Sequence, residues 1–290
     1  MSMISITLNS GYSMPILGLC TYLADNKATI FKLIETALME GYRAFDSGTD
    51  KNEEIVGEAL EIFLPKFKLK REDIFMISKL GIILDVYTPN ILSSNYIDDC
   101  LHRLRLKYVD LYVIHPPSNS SPKNSDSEEM KTLLAIWKSL AVAVKEGKIR
   151  SLGVSNFNKT QLETMFNFDN LAKFPPASMT PSVNQISFHP RLFRNDIVEY
   201  CHSHGAQVQA MISLDSPACR DLLLDKTLLR LGKNYSKTTD QILLRWALQR
   251  GLMIMLKYFA YSKPMIDSNI NIFDFEITAS DMQIIDSLNK

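Results

Sequence analysis

Three consecutive apolar runs of this chain end in side chains that could do acid–base chemistry. Asp46 lies at the end of YRAFDS, Lys79 near the end of DIFMISKLG, and His115 at the end of VDLYVIH. A carboxylate, an ammonium group and an imidazole placed together could bind a polarised group and move a proton. Taken singly, each has a simpler explanation, such as a helix cap, a solvated rim charge or a histidine bonded beneath a loop. Their occurrence at successive run ends favours a shared site.

Eight apolar runs alternate with amphipathic segments of helical periodicity. Each run is apolar for most of its length and polar at its end, as expected of strands buried on both faces of a parallel sheet. The runs are ILGLCTY, YRAFDS, DIFMISKLG, VDLYVIHPP, IRSLGVSNF, SVNQISF, AQVQAMIS and LMIMLKY. This alternation predicts one α/β domain over residues 1–290, a closed (β/α)8 TIM-type barrel. No G-x-G-x-x-G follows the first run, which disfavours an open dinucleotide-binding sheet. A flexible loop is expected at 118–129.

The barrel prediction places the polar run ends on one face. The C-terminal ends of barrel strands converge, and active sites are built there. We therefore expect Asp46, Lys79 and His115 to lie close together. Further polar run ends expected on this face are Ser155, Asn156, Gln185 and Lys257. Gly41 is expected to end the first long helix, and Asn52 to cap the second.

Composition excludes several classes of function. Lys plus Arg and Asp plus Glu number 32 each, so charge does not indicate a nucleic-acid or anionic-membrane partner. The four cysteines are widely spaced, which is typical of a reducing compartment. No apolar window reaches the roughly 18 residues of a membrane span, and no leader pattern precedes the first run. We expect a cytoplasmic protein. No metal site is predicted, because His202 and His204 cannot share one helix face.

Seven motifs, in order along nearly the whole chain, carry a resemblance to a known family. They are LNSGYSMPILGLCTY, GYRAFDS with NEEIVGEAL, SKL, VDLYVIHPP, GKIRSLGVSNFN, VNQISFHP and FDFEITASDMQIIDSLN. Together they resemble the aldo-keto reductase superfamily. The resemblance implies a (β/α)8 barrel capped by an N-terminal β-hairpin, and reduction of aldehydes and ketones with NADPH.

The resemblance also implies roles for individual residues. Asp46 and Lys79 match the family's paired aspartate and lysine, and His115 matches the histidine that orients the substrate carbonyl. Positions matching the family's cofactor-binding residues are Thr21, Ser155, Asn156, Gln185, Met211, Lys257 and Asn269. By the same resemblance, the groups that hydrogen-bond the nicotinamide carboxamide are Ser155, Asn156 and Gln185. The resemblance also places Lys257 near the adenosine 2′-phosphate and Asn269 against the adenine.

The family's proton-donating tyrosine is missing. Counting back from Asn52, the tyrosine position falls on Asp50, with one residue deleted; counting forward from Asp46, it falls on Lys51. Hydride delivered to a carbonyl carbon leaves an alkoxide that needs an acid nearby. An aspartate beside Lys79 would stay ionised, because a neighbouring cation lowers the pKa of a carboxyl group. Asp50 is therefore expected to be a helix-entry residue that marks a missing donor.

Other departures affect the predicted cofactor site. Met211 stands where the family has the aromatic that stacks on the nicotinamide ring. The arginine that clamps the 2′-phosphate falls near Met265, for which Lys263 is only a partial substitute because it lacks the bidentate guanidinium fork. The glycine of the family's GLGT turn is Cys20. We therefore predict weak NADPH binding.

Two readings stay open. In the first, the chain is an NADP(H)-dependent carbonyl reductase that acts on a small carbonyl compound, with Tyr22 or His115 as substitute proton donor. In the second, it is a non-catalytic barrel with a regulatory or protein-binding role, as the resemblance allows. The regulatory subunit of glutamate–cysteine ligase and the potassium-channel beta subunits are such members of the superfamily.

Overall fold

A computed structural model describes most of the chain and defines its architecture. It describes residues 4–22, 26–48, 50–80, 96–115, 128–167, 180–214, 216–258 and 261–289. Most of the loop expected at 118–129 lies outside these residues. Eight parallel strands close a barrel in chain order, with the last strand paired to the first, and two earlier strands form a separate antiparallel hairpin. The predicted (β/α)8 barrel with an N-terminal hairpin is confirmed.

The strands coincide with the apolar runs. The hairpin strands are β1 (Ser5–Thr7) and β2 (Ser13–Pro15). The barrel strands are β3 (Leu17–Cys20), β4 (Ala44–Asp46), β5 (Phe75–Leu80), β6 (Val109–Ile114), β7 (Ile149–Ser155), β8 (Val183–Ser187), β9 (Gln207–Ile212) and β10 (Met253–Lys257). Most of their residues are buried, because one face of each strand packs on the helices and the other fills the barrel.

Helices surround the barrel. In chain order they are α1 (Lys27–Glu40), α2 (Asp50–Lys66), α3 (Tyr96–Leu104), α4 (Glu128–Lys145), α5 (Lys159–Phe166), α6 (Asn195–Ser203), α7 (Pro217–Leu223), α8 (Lys226–Tyr235), α9 (Thr239–Gln249), α10 (Lys263–Asn269) and α11 (Ala279–Asp286). Gly41 ends α1 in the left-handed conformation, with φ of 99°, as the sequence predicted. Among the described helices, none is long and apolar enough to cross a membrane.

The predicted start of α2 was wrong. The helix begins at Asp50, two residues before Asn52, and Asn52 is buried inside its first turn. The Asn52 side chain does not cap the helix but donates to the backbone oxygen of Thr21, at 2.8 Å. A contact with the end of β3 therefore outweighs the local capping preference of asparagine.

The hairpin closes the N-terminal end of the barrel. Leu8 and Met14 are buried with Phe75, Leu111 and Met253, side chains of the barrel interior. A larger apolar cluster fills the space between the strands and the helices. Because one end of the interior is plugged, polar groups at the opposite end of the strands are free to form a site.

Candidate active site

Asp46 and Lys79 form a buried ion pair at the C-terminal face. Asp46 is the last residue of β4, and Lys79 lies one residue before the end of the neighbouring β5. Lys79 Nζ lies 2.7 Å from Asp46 Oδ1 and 2.5 Å from Asp46 Oδ2. The aspartate is 0% exposed and the lysine 7%, so the pair is held in a low-dielectric site where both charges need partners.

Two more donors complete the carboxylate's hydrogen bonds. The backbone N–H of Gly48 donates to Asp46 Oδ1 at 2.7 Å, and Gln185 Nε2 donates to Asp46 Oδ2 at 2.8 Å. Gln185 comes from β8, on the far side of the barrel from β4. The strand-end polar groups are therefore joined across the barrel and not only between neighbouring strands.

His115 follows β6 directly and feels the same charges. Burial lowers the pKa of its imidazole from the ordinary value of 6.5 to about 4, with the nearby Lys79 charge as the second cause. Asp46 acts in the opposite direction and Lys257 lowers the pKa further. The ring is therefore neutral at physiological pH and can offer one N–H and one acceptor nitrogen.

Thr21 ties the end of β3 to Asp46 and α2. Its backbone N–H donates to the backbone oxygen of Asp46 at 2.9 Å, and its hydroxyl reaches the same oxygen at 3.3 Å. The Thr21 backbone oxygen accepts from the Asn52 side chain, as described above. Thr21 is 0% exposed, so it supports the strand ends from within.

Tyr22 covers the loop that follows Asp46. A side chain at Gly48 would meet the Tyr22 ring carbon Cδ2 at 2.5 Å, and Gly48 has φ of 77°, a conformation that favours glycine. Lys257 Nζ, at the end of β10, lies 4.7 Å from the centre of the Tyr22 ring. Tyr22 is 40% exposed, so its phenol lies at the surface of the C-terminal face.

Asp50 does not join this network. Asp50 is the exposed first residue of α2, whereas Asn52 and Glu53 are buried. Glu53 is 1% exposed and accepts hydrogen bonds from Ser78 of β5 and from Arg103 of α3, the latter at 2.7 Å. The buried glutamate therefore anchors α2 to the barrel, and its pairing is structural.

Ser155 and Asn156 lie beside β8. Ser155 ends β7 and is 3% exposed, whereas Asn156 is exposed and has φ of 56°, which asparagine tolerates better than most residues. The Asn156 backbone N–H donates to the Gln185 backbone oxygen at 2.7 Å. Met211 of β9 is half-buried and packs against the barrel interior.

Asn269, predicted to contact the adenine, and Lys263, the partial substitute for the phosphate-clamping arginine, both have partners within the chain. Asn269 is 0% exposed, and its Nδ2 donates to the hydroxyl of Tyr258 at 2.9 Å. Lys263 Nζ is paired with Asp267 at 2.6 Å and with Glu40 at 3.3 Å. The amide therefore has no exposed surface for an adenine, and the ammonium charge is already shared by two carboxylates.

Sequence reasoning missed Gln209. This residue of β9 is 0% exposed, and its Oε1 accepts from Gln185 Nε2 at 2.5 Å. The run AQVQAMIS did contain a signal, since two glutamines two residues apart put polar groups on the inward face of a buried strand. In the part of the chain that the structure describes, no three His, Cys, Asp or Glu side chains are grouped to hold a metal ion.

A parallel (β/α)8 barrel with an ion pair, a histidine and amides at its C-terminal face is the architecture of many barrel enzymes. The model of the aldo/keto reductase family matches residues 16–290. The chain belongs to the aldo/keto reductase family.

Individual relatives agree with this assignment. The chain is 33% identical to an uncharacterized oxidoreductase, YtbE, of Bacillus subtilis, over 98% of this chain and 92% of that protein. It is also 33% identical to glyoxal reductase of the same organism, over 99% of this chain and 93% of the relative. The aldose reductase of Schistosoma japonicum superposes with a TM-score of 0.82 at 30% identity, covering 99% of this chain and 93% of that one.

Proposed function

We propose that this protein is an oxidoreductase of the aldo-keto reductase type in which carbonyl reduction is weak or absent. One observation carries the proposal. The Asp46–Lys79 pair is intact and buried next to His115, but the residue at the tyrosine position, Asp50, is an exposed helix-start residue outside that network. The chain keeps the Asp46–Lys79 ion pair and His115 but lacks the acid that would protonate the reacting oxygen.

The missing group is the acid. A nicotinamide cofactor, when bound, supplies the hydride that reduces the carbonyl carbon. The oxygen then needs a proton from a group within about 3 Å. Lys79 is held by both oxygens of Asp46, and a neutral His115 can orient a carbonyl through its N–H but is a poor source of a proton. This state of His115 argues against it as the substitute donor.

Tyr22 is the remaining candidate for residual turnover. Its ring packs over Gly48 and beside Lys257, at the edge of the same face. Its partial exposure, 40%, also explains why turnover would be slow, since a side chain at the surface is less firmly fixed toward the reacting oxygen than a buried one.

The residues present fit a nicotinamide cofactor only in part. Asn156 is exposed at the face, and Lys257 supplies a cation there. Gln185 is occupied by Asp46 and Gln209, Asn269 is occupied by Tyr258, and Lys263 is occupied by two carboxylates. We therefore propose that NADPH binds weakly, with a small carbonyl compound as the substrate of any remaining activity.

The second candidate function is a non-catalytic barrel with a regulatory or protein-binding role. The observation that favours it is the same occupation of the cofactor-site amides by partners within the chain. In this hypothesis the barrel lacks the acid, and its cofactor-site amides are bonded within the chain. Such a barrel can still function by binding a partner on its surface.

Titration with NADPH and NADH, followed by fluorescence and calorimetry, separates these functions. We expect NADPH dissociation constants above about 1 μM, because loss of a bidentate phosphate clamp costs on the order of 2–3 kcal/mol. Sub-micromolar NADPH binding would contradict an impaired site. Complete absence of binding to both cofactors would favour the non-catalytic function.

Turnover with a reactive aldehyde such as glyoxal tests the missing acid. We expect rates lower by about 10²–10⁴-fold than in a family member with the tyrosine, the usual contribution of a positioned general acid. Tyr22→Phe should abolish what remains, whereas Tyr12→Phe, on a tyrosine of similar exposure (41%) in the N-terminal hairpin, should not. Asp50→Tyr should restore little, since position 50 faces solvent. Fast turnover by the unmodified protein would overturn the proposal.

A further inference from the structure

Gln185 and Gln209 form a buried amide pair whose orientation is set by Asp46. Ionised carboxylate oxygens only accept hydrogen bonds, so Gln185 must present Nε2, and not Oε1, to Asp46. The same Nε2 donates its second hydrogen to Gln209 Oε1 at 2.5 Å. Both hydrogens of the Gln185 amide are therefore committed to partners within the protein.

The pair leaves two complementary atoms without partners. Gln185 Oε1 and Gln209 Nε2 are buried and have no hydrogen-bond partner among the described residues. Both side chains are 0% exposed, so a ligand cannot reach either amide while the pair stays closed. Unpaired buried polar atoms cost free energy, so breaking the remaining Gln185–Gln209 hydrogen bond would add to a cost that is already present.

A nicotinamide carboxamide has the same groups as the Gln209 side chain, namely a carbonyl acceptor and an NH2 donor. Gln209 Oε1 takes the hydrogen that Gln185 would otherwise offer to a ligand carbonyl. To release it, Gln209 would have to leave its Oε1 unpaired in addition to its Nε2, on a buried strand where its register partner on β10 is Met253. Ligand binding then bears the cost of an unpaired amide.

We propose that Gln209 competes with the cofactor's carboxamide for Gln185 and thereby lowers the affinity for NADPH and NADH. This inference rests on the proposed function, because it needs the nicotinamide to bind at the C-terminal face. Gln209 acts through Gln185 and is a positioning residue. A residue that binds the cofactor raises the affinity, whereas Gln209 lowers it. Removal of the Gln209 amide therefore tightens cofactor binding.

The test uses Gln209→Met in the full chain, because methionine keeps the length of glutamine without its hydrogen bonds. We expect NADPH to bind about tenfold tighter, the equivalent of about one hydrogen bond. Gln207→Met makes the same change two residues earlier on β9 and should leave the affinity unchanged. The fragment 2′-phospho-ADP-ribose lacks the nicotinamide, so Gln209→Met should not alter its affinity.

A second background isolates the role of Gln185. If Gln185 is the group released, Gln209→Met should have no effect on NADPH affinity in a Gln185→Met protein, and the two changes should be strongly non-additive. Gln209→Val, which is too short to reach Gln185 and suits a strand, repeats the test should the methionine variant fold poorly. Circular dichroism and thermal unfolding check the fold of each variant.

The outcomes are distinguishable. Tighter NADPH binding with unchanged fragment binding supports the inference. Unchanged or weaker NADPH binding by both Gln209 variants overturns it and leaves the proposed function standing. Tightening of both NADPH and the fragment overturns it as well, because the effect would then not lie at the carboxamide. No NADPH binding by any folded variant overturns the proposed function and this inference together.

Discussion

Two buried aspartates, at opposite ends of the barrel, are neutralised in different ways. Asp46 at the C-terminal face is paired with one lysine and with neutral N–H donors. Asp110, the second residue of β6, lies near the N-terminal face and is paired with two arginines. Arg71 lies 2.6 Å from its Oδ2, and Arg150 lies 2.8 Å from its Oδ1.

The surroundings of Asp110 indicate a structural role. Its Oδ2 also accepts from the backbone N–H of Met76, and the two guanidinium groups lie 4.1 and 3.9 Å from the centre of the Tyr108 ring. Planar guanidinium groups suit such fixed, stacked pairing, whereas lysine is a point charge that can shift between partners. The N-terminal cluster therefore joins three neighbouring strands, whereas the C-terminal network joins strands on opposite sides of the barrel.

The largest expected effect is on stability, at the N-terminal face. Asp110→Ala leaves two partly buried arginines without their shared carboxylate and should lower the free energy of unfolding by about 3 kcal/mol. Urea denaturation measures the loss. Asp98→Ala removes a carboxylate that is 45% exposed and pairs with Lys148, and should cost less than about 1 kcal/mol. Equal losses would break the distinction between the Asp110 cluster and a surface ion pair.

The pH dependence of stability tests the C-terminal face. The His115 pKa of about 4 lies below its unfolded value, so the unfolded chain binds more protons between about pH 4 and 6.5. Stability from this group is therefore complete above about pH 6.5 and is lost as the pH falls toward 4. The loss reaches up to about 3 kcal/mol.

His115→Gln should remove this dependence. Between pH 7.5 and 4.5 the variant's unfolding free energy should fall less than that of the unmodified protein. His102→Gln, at an exposed position on α3, should behave like the parent. Parallel pH curves for the parent and His115→Gln would show that the imidazole is not held neutral by burial.

A glycine at each face gives a smaller, matched comparison. Gly48 and Gly147 both have φ of 77°, but only Gly48 has a neighbour, Tyr22, where a Cβ would stand. Gly147→Ala should cost about 1 kcal/mol for its backbone alone, and Gly48→Ala roughly 1–2 kcal/mol more. Thermal unfolding of the two variants measures the difference. In a Tyr22→Ala protein, most of the extra cost of Gly48→Ala should disappear. An unchanged cost would mean that Tyr22 does not rest on Gly48.

The smallest expected effect concerns Lys263. Because Asp267 and Glu40 already hold its ammonium group, Lys263→Met should change NADPH affinity by less than about twofold. Lys257→Met is the matched change at the end of β10, where the described contact is with the Tyr22 ring, and should weaken binding more. A large loss of NADPH affinity in Lys263→Met would show that Lys263 does replace the missing arginine as the phosphate clamp.

Much of the fold and part of the site could be predicted from the sequence. The alternation of buried runs with helical segments predicted all eight barrel strands, because period and burial are local properties of the chain. The convergence of Asp46 and Lys79 followed, since strand ends must meet in a closed barrel. The start of α2 was misplaced because a contact between Asn52 and Thr21, 31 residues apart, outweighed local capping.

The sequence by itself determined the barrel, the face on which its polar strand ends meet, and the absence of a tyrosine near Asp50. Only the tertiary structure decided which polar groups are free. Gln185 is bonded to Asp46, 139 residues away, and to Gln209 on the next strand, while Asn269 is bonded to Tyr258. Hydrogen-bond partners in a buried interior are chosen by distance and direction in space, and residue type alone does not encode them.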